Sequence, residues 1–211
     1  MQYSNRSLGR KMKNKLALQM QGGLPEVEGV PMIGLVSRMD YQKGIDTAIE
    51  ALHLIGDLNW QAFILGSGTT DIEQAAEQLM EAFPEKVFTK IGYLPDLARE
   101  IYAGADMFLI PSRYEPCGLT QMISMRYGTV PVASSVGGLK DTITDYGDGK
   151  GDGFLVEADD AQKLAERITD AINAFADQKA WRKIQLAGMR KDFSWDASAN
   201  KYLTLYKELL N

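Results

Sequence analysis

The chain is 211 residues long, 45% apolar and 24% charged, with 23 Lys plus Arg against 28 Asp plus Glu and a net charge of −5. This is an ordinary globular composition, of a length for one large domain or one and a half. It argues against a broad nucleic-acid surface, which needs a basic face, and no apolar run approaches the roughly 18 residues of a membrane span.

In chain order, the first 25 residues are the least readable. MQYSNRSLGRKMKNK is polar and basic without an apolar centre, so it is not read as a secretory signal. A short helix is expected over Lys11–Met20. Six strand-length apolar runs follow: Met32–Val36, Ala62–Leu65, Lys86–Ile91, Met107–Ile110, Val130–Ala133 and Phe154–Val156. Each is mostly unalternating and bounded by Gly, Pro or Ser, the pattern of parallel strands buried on both faces. Helical spacing lies between them. Ile45, Ala48, Ile49, Leu52 and Ile55 fall on one helix face, and further helices are expected over Asp71–Phe83, Pro95–Ala103 and Leu119–Tyr127. This alternation predicts an α/β fold: a doubly wound, parallel, six-stranded Rossmann-like sheet in three α/β/α layers. The last third is helical, over Ala158–Ala176, Gln178–Met189 and Asp196–Leu210, the last opening at Ser194 and carrying Tyr202, Leu205, Tyr206 and Leu209. With no internal repeat or long linker, residues 1–211 read as one domain. Cys117 is the only cysteine, so no disulfide closes within the chain, which favours a reducing compartment, expected to be the cytoplasm.

Ligands of open parallel sheets bind beyond the carboxyl ends of the strands. The residues expected there are Ser37-Arg38, Gly66-Ser67-Gly68, Gly92-Tyr93, Pro111–Gly118 and Ser134–Gly138. Glycines, hydroxyls and two cations on one edge make a phosphate-binding composition. Arg38 and Lys43 together would offset the charge of a diphosphate, one as a planar fork and the other as a mobile point charge. An arbitrary Arg–Lys pair is more often two solvated cations; the strand-end position favours the ligand reading. Gly118-Leu119-Thr120 opens a helix whose free N–H groups and positive dipole end would face an anion. Glu115 would repel that anion unless it holds a sugar hydroxyl; its alternative is an ion pair with Arg113 or Arg38. Cys117 has no neighbouring base, since His53 lies in a helix of the first βα unit, and is read as a small buried residue. His53 is read as a surface or rim histidine. Gly66-Ser67-Gly68 lacks the third glycine and the downstream acid of a dinucleotide fingerprint. Asp148, Lys150, Asp152 and Gly153 partly mimic a calcium loop but lack its ligands, and are read as a solvated turn. No Cys and His cluster suits zinc, and no metal is expected.

Six stretches then occur in order: SRMDYQKGID (37–46), ILGSG (64–68), IGY (91–93), PSRYEPCGLTQM (111–122), YGTVPV (127–132) and VGGLKDTI (136–143). With these the chain resembles the C-terminal domain of bacterial glycogen synthases and plant starch synthases, retaining glycosyltransferases of the two-Rossmann-domain (GT-B) architecture. The resemblance runs from about residue 12 to the end. EPCGLTQ with SRxDYQKG is specific to the glucan synthases; broader relatives keep a Glu, a Gly and a second Glu eight residues on, where Ile123 stands here.

The resemblance implies that Arg38 and Lys43 hold the diphosphate of a sugar nucleotide and that Glu115 contacts the donor glucose. Gly118, Leu119 and Thr120 would receive the distal phosphate, with Gly66 and Cys117 beside the donor and Tyr93 at the base. Gly137 and Gly138 would serve close backbone approach. The donor would be ADP-glucose or UDP-glucose, the acceptor the 4-hydroxyl of an α-1,4-glucan, and no metal would be required. A complete member also has an N-terminal Rossmann domain, with a Lys-x-Gly-Gly-Leu loop and an acceptor groove. The chain is therefore expected to be a C-terminal fragment, inactive alone, whose final helices from about residue 158 pack on the sheet and towards the missing domain. Two alternatives stand beside this reading: the donor domain of another GT-B enzyme, sucrose synthase-like or cell-envelope, and a free-standing nucleotide-binding module.

Overall fold

The computed structural model describes residues 1–147 and 149–210. Six strands, β1 (Met32–Met39), β2 (Gln61–Gly68), β3 (Val87–Ile91), β4 (Met107–Ile110), β5 (Val130–Ser134) and β6 (Phe154–Val156), form one sheet. The order is β3-β2-β1-β4-β5-β6, and every pairing is parallel. The chain winds outward from β1 to β3, then crosses back to β4 beside β1. That reversal, between β1 and β4, is where such sheets open a crevice for a ligand.

Successive residues along one strand feed two cores. Met107 and Leu109 of β4 face a cluster closed by α2 (Ile45–Leu54), α3 (Thr70–Ala82), α7 (Ala161–Ala176) and α8 (Gln178–Arg190). Phe108 and Ile110 face the other layer, closed by α1 (Lys11–Gln21), α4 (Pro95–Gly104), α5 (Thr120–Arg126) and α6 (Gly137–Thr142). Burial on both faces is why the strands read as unbroken apolar runs.

The boundaries that differ do so for local reasons. β1 and β2 run on to Met39 and Gly68, because their ladder continues through Ser37–Gly66, Arg38–Ser67 and Met39–Gly68. Arg38 and Ser67 thus stand in the last residues of strands and not beyond them; the apolar pattern stops where the core stops, and the hydrogen bonds do not. α7 begins at Ala161 and not at Ala158. Asp160 caps it by accepting from Lys163 N at 3.0 Å, and Asp159 before it has φ 63°, which no helix continues through. The expected N-terminal helix is present as α1.

The final helix, α9 (Trp195–Leu209), starts at Ser194, whose hydroxyl accepts from Ala197 N at 3.3 Å. α7 and α8 contribute to the core on one face of the sheet, whereas α9 buries no residue. Tyr202, Leu205, Tyr206 and Leu209 are all exposed, and Trp195 is 90% exposed. No helix among the described residues is long and apolar enough to cross a membrane.

Candidate functional site

The expected cations are delivered by the first strand and the turn after it. Arg38 leaves β1 with its side chain 66% exposed, and Nη1 meets Asp40 Oδ2 at 2.7 Å. Asp40 also shapes the turn, its Oδ1 accepting from Lys43 N at 3.0 Å. Gly44 closes that turn with φ 65°, and a Cβ there would lie 2.0 Å from Pro111 O. Only glycine lets the turn approach the exit of β4 so closely.

That approach is what brings Lys43 to Glu115. Lys43 Nζ donates to Glu115 Oε2 at 2.7 Å, and Ser112 Oγ lies 3.2 Å from the same oxygen. Glu115 therefore pairs with Lys43, and the alternative of a pair with Arg113 or Arg38 is corrected. Arg113 turns away to Asp46 and Asp159, and Arg38 to Asp40. Lysine presents three donors, so Lys43 keeps two beyond Glu115 among the described residues.

The loop after Glu115 is held from below. Gln121, fully buried in the first turn of α5, donates through Nε2 to Cys117 O at 3.1 Å and Gly118 O at 2.9 Å, and meets Thr142 Oγ1 at 3.0 Å. Gly118 takes φ 73° between these contacts. Leu119 is exposed, and Thr120 opens α5. Its hydroxyl faces Tyr102, whose pKa is raised by burial and drawn back in part by that contact. α6 abuts the same loop: Cβ atoms on Gly137 and Gly138 would lie 2.1 Å from Glu115 O and 2.0 Å from Cys117 O, and Gly138 N donates to Glu115 O at 3.1 Å. The glycine pair serves backbone approach. Cys117 is exposed, correcting its expected burial, because the loop projects beyond the sheet.

Beside these groups lies a cleft of about 230 Å³, lined by Ser37, Arg38, Gly66, Ser67, Gly92 and Tyr93. Gly66 sits against Ser37 O, where a Cβ would come to 2.1 Å. Tyr93, 87% exposed, stands at its rim. A larger groove, about 780 Å³, runs between the N-terminal arm, α1 and α4, and none of the candidate residues lines it.

His53 is exposed on α2, its ring 5.4 Å from that of Phe83. Asp152 is buried and not part of a solvated turn: it pairs with Lys191 Nζ at 2.6 Å and accepts from Thr144 N at 2.9 Å. Asp148 lies outside the described residues. Among those described, no group of three or more His, Cys, Asp or Glu could hold a metal ion. Sequence reading missed Ser112 and Gln121 as supports of the site and took Arg113 only as a partner for Glu115. Their signal was present in PSRYEPCGLTQ, but side chains that hold a loop do not announce it by residue type.

Three comparisons bear on this geometry. The model of a family described as glycosyl transferases group 1 matches residues 19–185. A glycogen synthase of Kosmotoga olearia is 46% identical over 97% of this chain and 43% of its own length. The catalytic domain of starch synthase IV from Arabidopsis thaliana, solved bound to ADP and acarbose, superposes with a TM-score of 0.88 at 34% identity, over 98% of this chain and 44% of that one. The C-terminal domain of a group 1 glycosyl transferase from Francisella tularensis shares the fold, with a TM-score of 0.65 at 22% identity over 90% of this chain and 93% of that one. The chain spans less than half the length of the glycogen synthases it matches.

Proposed function

The chain belongs to the group 1 glycosyl transferases, and from that premise we propose that it is the donor-binding half of a cytoplasmic glucan synthase. It takes ADP-glucose or UDP-glucose, and glucose passes with retention to the 4-hydroxyl at the end of an α-1,4-glucan. The observation that carries the reading is the meeting of Lys43 and Glu115 at 2.7 Å beside Arg38, at the carboxyl edge of β1 and β4. Two cations there, with the carboxylates of Asp40 and Glu115 beside them, suit a diphosphate joined to a sugar.

In this reading Arg38 and the two spare donors of Lys43 take the diphosphate, Glu115 takes a hydroxyl of the glucose, and Gly118–Thr120 faces the distal phosphate. Tyr93 and the cleft by Gly66 take the base. As the glycosidic bond breaks, negative charge grows on the departing diphosphate, where preorganised cations stabilise the transition state more than the ground state. Removing one such group costs about 10²–10³ in rate. No metal has a part in the reading, because the cations are the protein's own.

The acceptor groove belongs to an N-terminal domain. Support comes from the share of the related enzymes that the chain spans and from α9, whose exposed Trp195, Tyr202, Tyr206 and Leu209 form an apolar surface for that domain to cover. The test is calorimetric titration of the chain with ADP-glucose and UDP-glucose, with Lys43→Ala as control. Saturable binding that the variant weakens about 10- to 100-fold is expected; equal heats from both proteins would refute the assignment. Robust glucose transfer by the purified chain alone would sink the two-domain part.

A further inference from the structure

Lys43 and Glu115 lie on separate segments, and one side chain ties these segments together. Arg113, 14% exposed, donates through Nη1 and Nη2 to Asp46 Oδ1 and Oδ2 at 2.7 and 2.8 Å. Nη1 also reaches Tyr41 O at 2.7 Å, Nη2 reaches Thr47 Oγ1 at 2.9 Å, and Nε reaches Asp159 Oδ1 at 2.6 Å. A guanidinium has five N–H donors, and these contacts use all of them. Its carbon lies 3.8 Å from the centre of the Tyr41 ring, and Arg113 N donates to Gln42 O at 3.0 Å. The side chain therefore grips three pieces at once: the turn carrying Lys43, the first turn of α2, and the residues before α7.

The charges in this grip are mutually sustained. Burial is the largest influence on Asp46 and by itself would raise its pKa, but the hydrogen bond and charge of Arg113 and the backbone hydrogen bonds of Thr47 and Asp46 together bring it below its usual value of 3.8. The Arg113 pKa is raised, chiefly by Asp46 and then by Asp159, against burial. Asp159 is the only non-glycine residue described with a positive φ, a conformation that costs about 1 kcal/mol or more and persists where its surroundings hold it. Its bond to Arg113 is one such hold.

We propose that Arg113 is a positioning residue, which fixes Lys43 and Glu115 relative to each other without touching the ligand. With every donor used it has none for a phosphate, although it sits in the middle of the motif that carries Glu115. Lysine cannot replace it, because a single ammonium group makes neither the fork nor the stack. The proposal rests on the donor-binding reading only for what occupies the site; the geometry it asserts can be tested without ligand.

The first measurement is a double-mutant cycle in urea, with Lys43→Met, Glu115→Gln and their combination, run in the wild type and in Arg113→Lys. Coupling of roughly threefold in the unfolding equilibrium constant is expected in the wild type and its loss in Arg113→Lys. A pair uncoupled in the wild type, or equally coupled without Arg113, overturns the proposal. The second is calorimetry with ADP. Arg113→Lys should weaken binding about tenfold when Lys43 is present and add nothing in Lys43→Ala. A general loosening of the fold would weaken both backgrounds alike, and that result also overturns it. If the wild type binds no ADP, the donor reading falls while the urea cycle still decides the role of Arg113. Should Arg113→Lys not fold, Asp159→Asn replaces it; a partial loss of coupling supports the proposal and unchanged coupling contradicts it.

Discussion

The two edges of the sheet both gather basic side chains and use them in opposite ways. Before the strands, Lys15 of α1 is 1% exposed, with Nζ at 2.7 Å from Asp106 Oδ2 and 2.8 Å from Glu28 O. Lys11 beside it meets Thr129 Oγ1, Ala103 O and Tyr102 O at 2.7, 3.0 and 3.1 Å. Asp106 also accepts from Met32 N at 2.9 Å, so this cluster fastens α1 to the start of β1. Beyond the strands, Lys43 has one carboxylate partner and donors left over, and Arg38 stands mostly in solvent. A cation buried among its acceptors is a fastener; a more exposed one with donors to spare is open to a ligand. Counting cations would not separate the two edges, but burial and free donors together do.

The sharpest way to break that comparison is at the fastening edge. Asp106→Ala leaves the Lys15 charge buried and unpaired, which costs about 3–5 kcal/mol. For a chain of this size that lowers Tm by roughly 10 °C, while affinity for ADP-glucose should stay within about twofold. A variant as stable as the wild type would end the claim that this edge is structural. Lys43→Ala should do the reverse. Its pair is partly exposed, so stability should fall by less than about 1 kcal/mol, while loss of a charge-assisted contact weakens ADP-glucose binding about 10- to 100-fold. Gly138→Ala falls between them. Its Cβ would meet Cys117 O at 2.0 Å, and relieving such a clash costs about 1–3 kcal/mol by moving the loop that carries Glu115. Stability and binding should fall together.

This contrast also marks what the sequence could reveal. The parallel sheet and the helices between its strands were legible because burial on two faces leaves unbroken apolar runs such as Met107–Ile110, a pattern that survives in one dimension. Arg38, Lys43 and Glu115 could be placed on one edge because strand ends are where open sheets bind ligands; only the family resemblance joined them as a set. Which of them pair was not. The Lys43–Glu115 contact depends on Gly44 meeting Pro111, a close approach between segments that no local pattern encodes. Arg113 was misread for a related reason: the chain places it two residues from Glu115, while its partners Asp46 and Asp159 lie in other segments. Cys117 was read as buried because its residue type usually is, and the projecting loop overrides the type.

The smallest expected effect tests whether Arg113 is as saturated in solution as its geometry requires. Asp46 holds its proton less readily in the folded chain than its usual value of 3.8. A depressed carboxyl contributes stability that is fully present above its unfolded pKa, near 3.9, and is lost as pH falls through the lower folded value. Below roughly pH 4, then, the unfolded chain binds the proton that the folded chain refuses, and stability falls on acidification. Asp46→Asn keeps the volume and one acceptor but removes that titration. Since the carboxylate is 41% exposed, the change at neutral pH should be small. Tm followed against pH should show a shallower acid limb in the variant than in the wild type. Superimposable limbs would mean that the guanidinium fork is not held by a charged Asp46, and Arg113 would then have donors to offer a ligand, as Lys43 does.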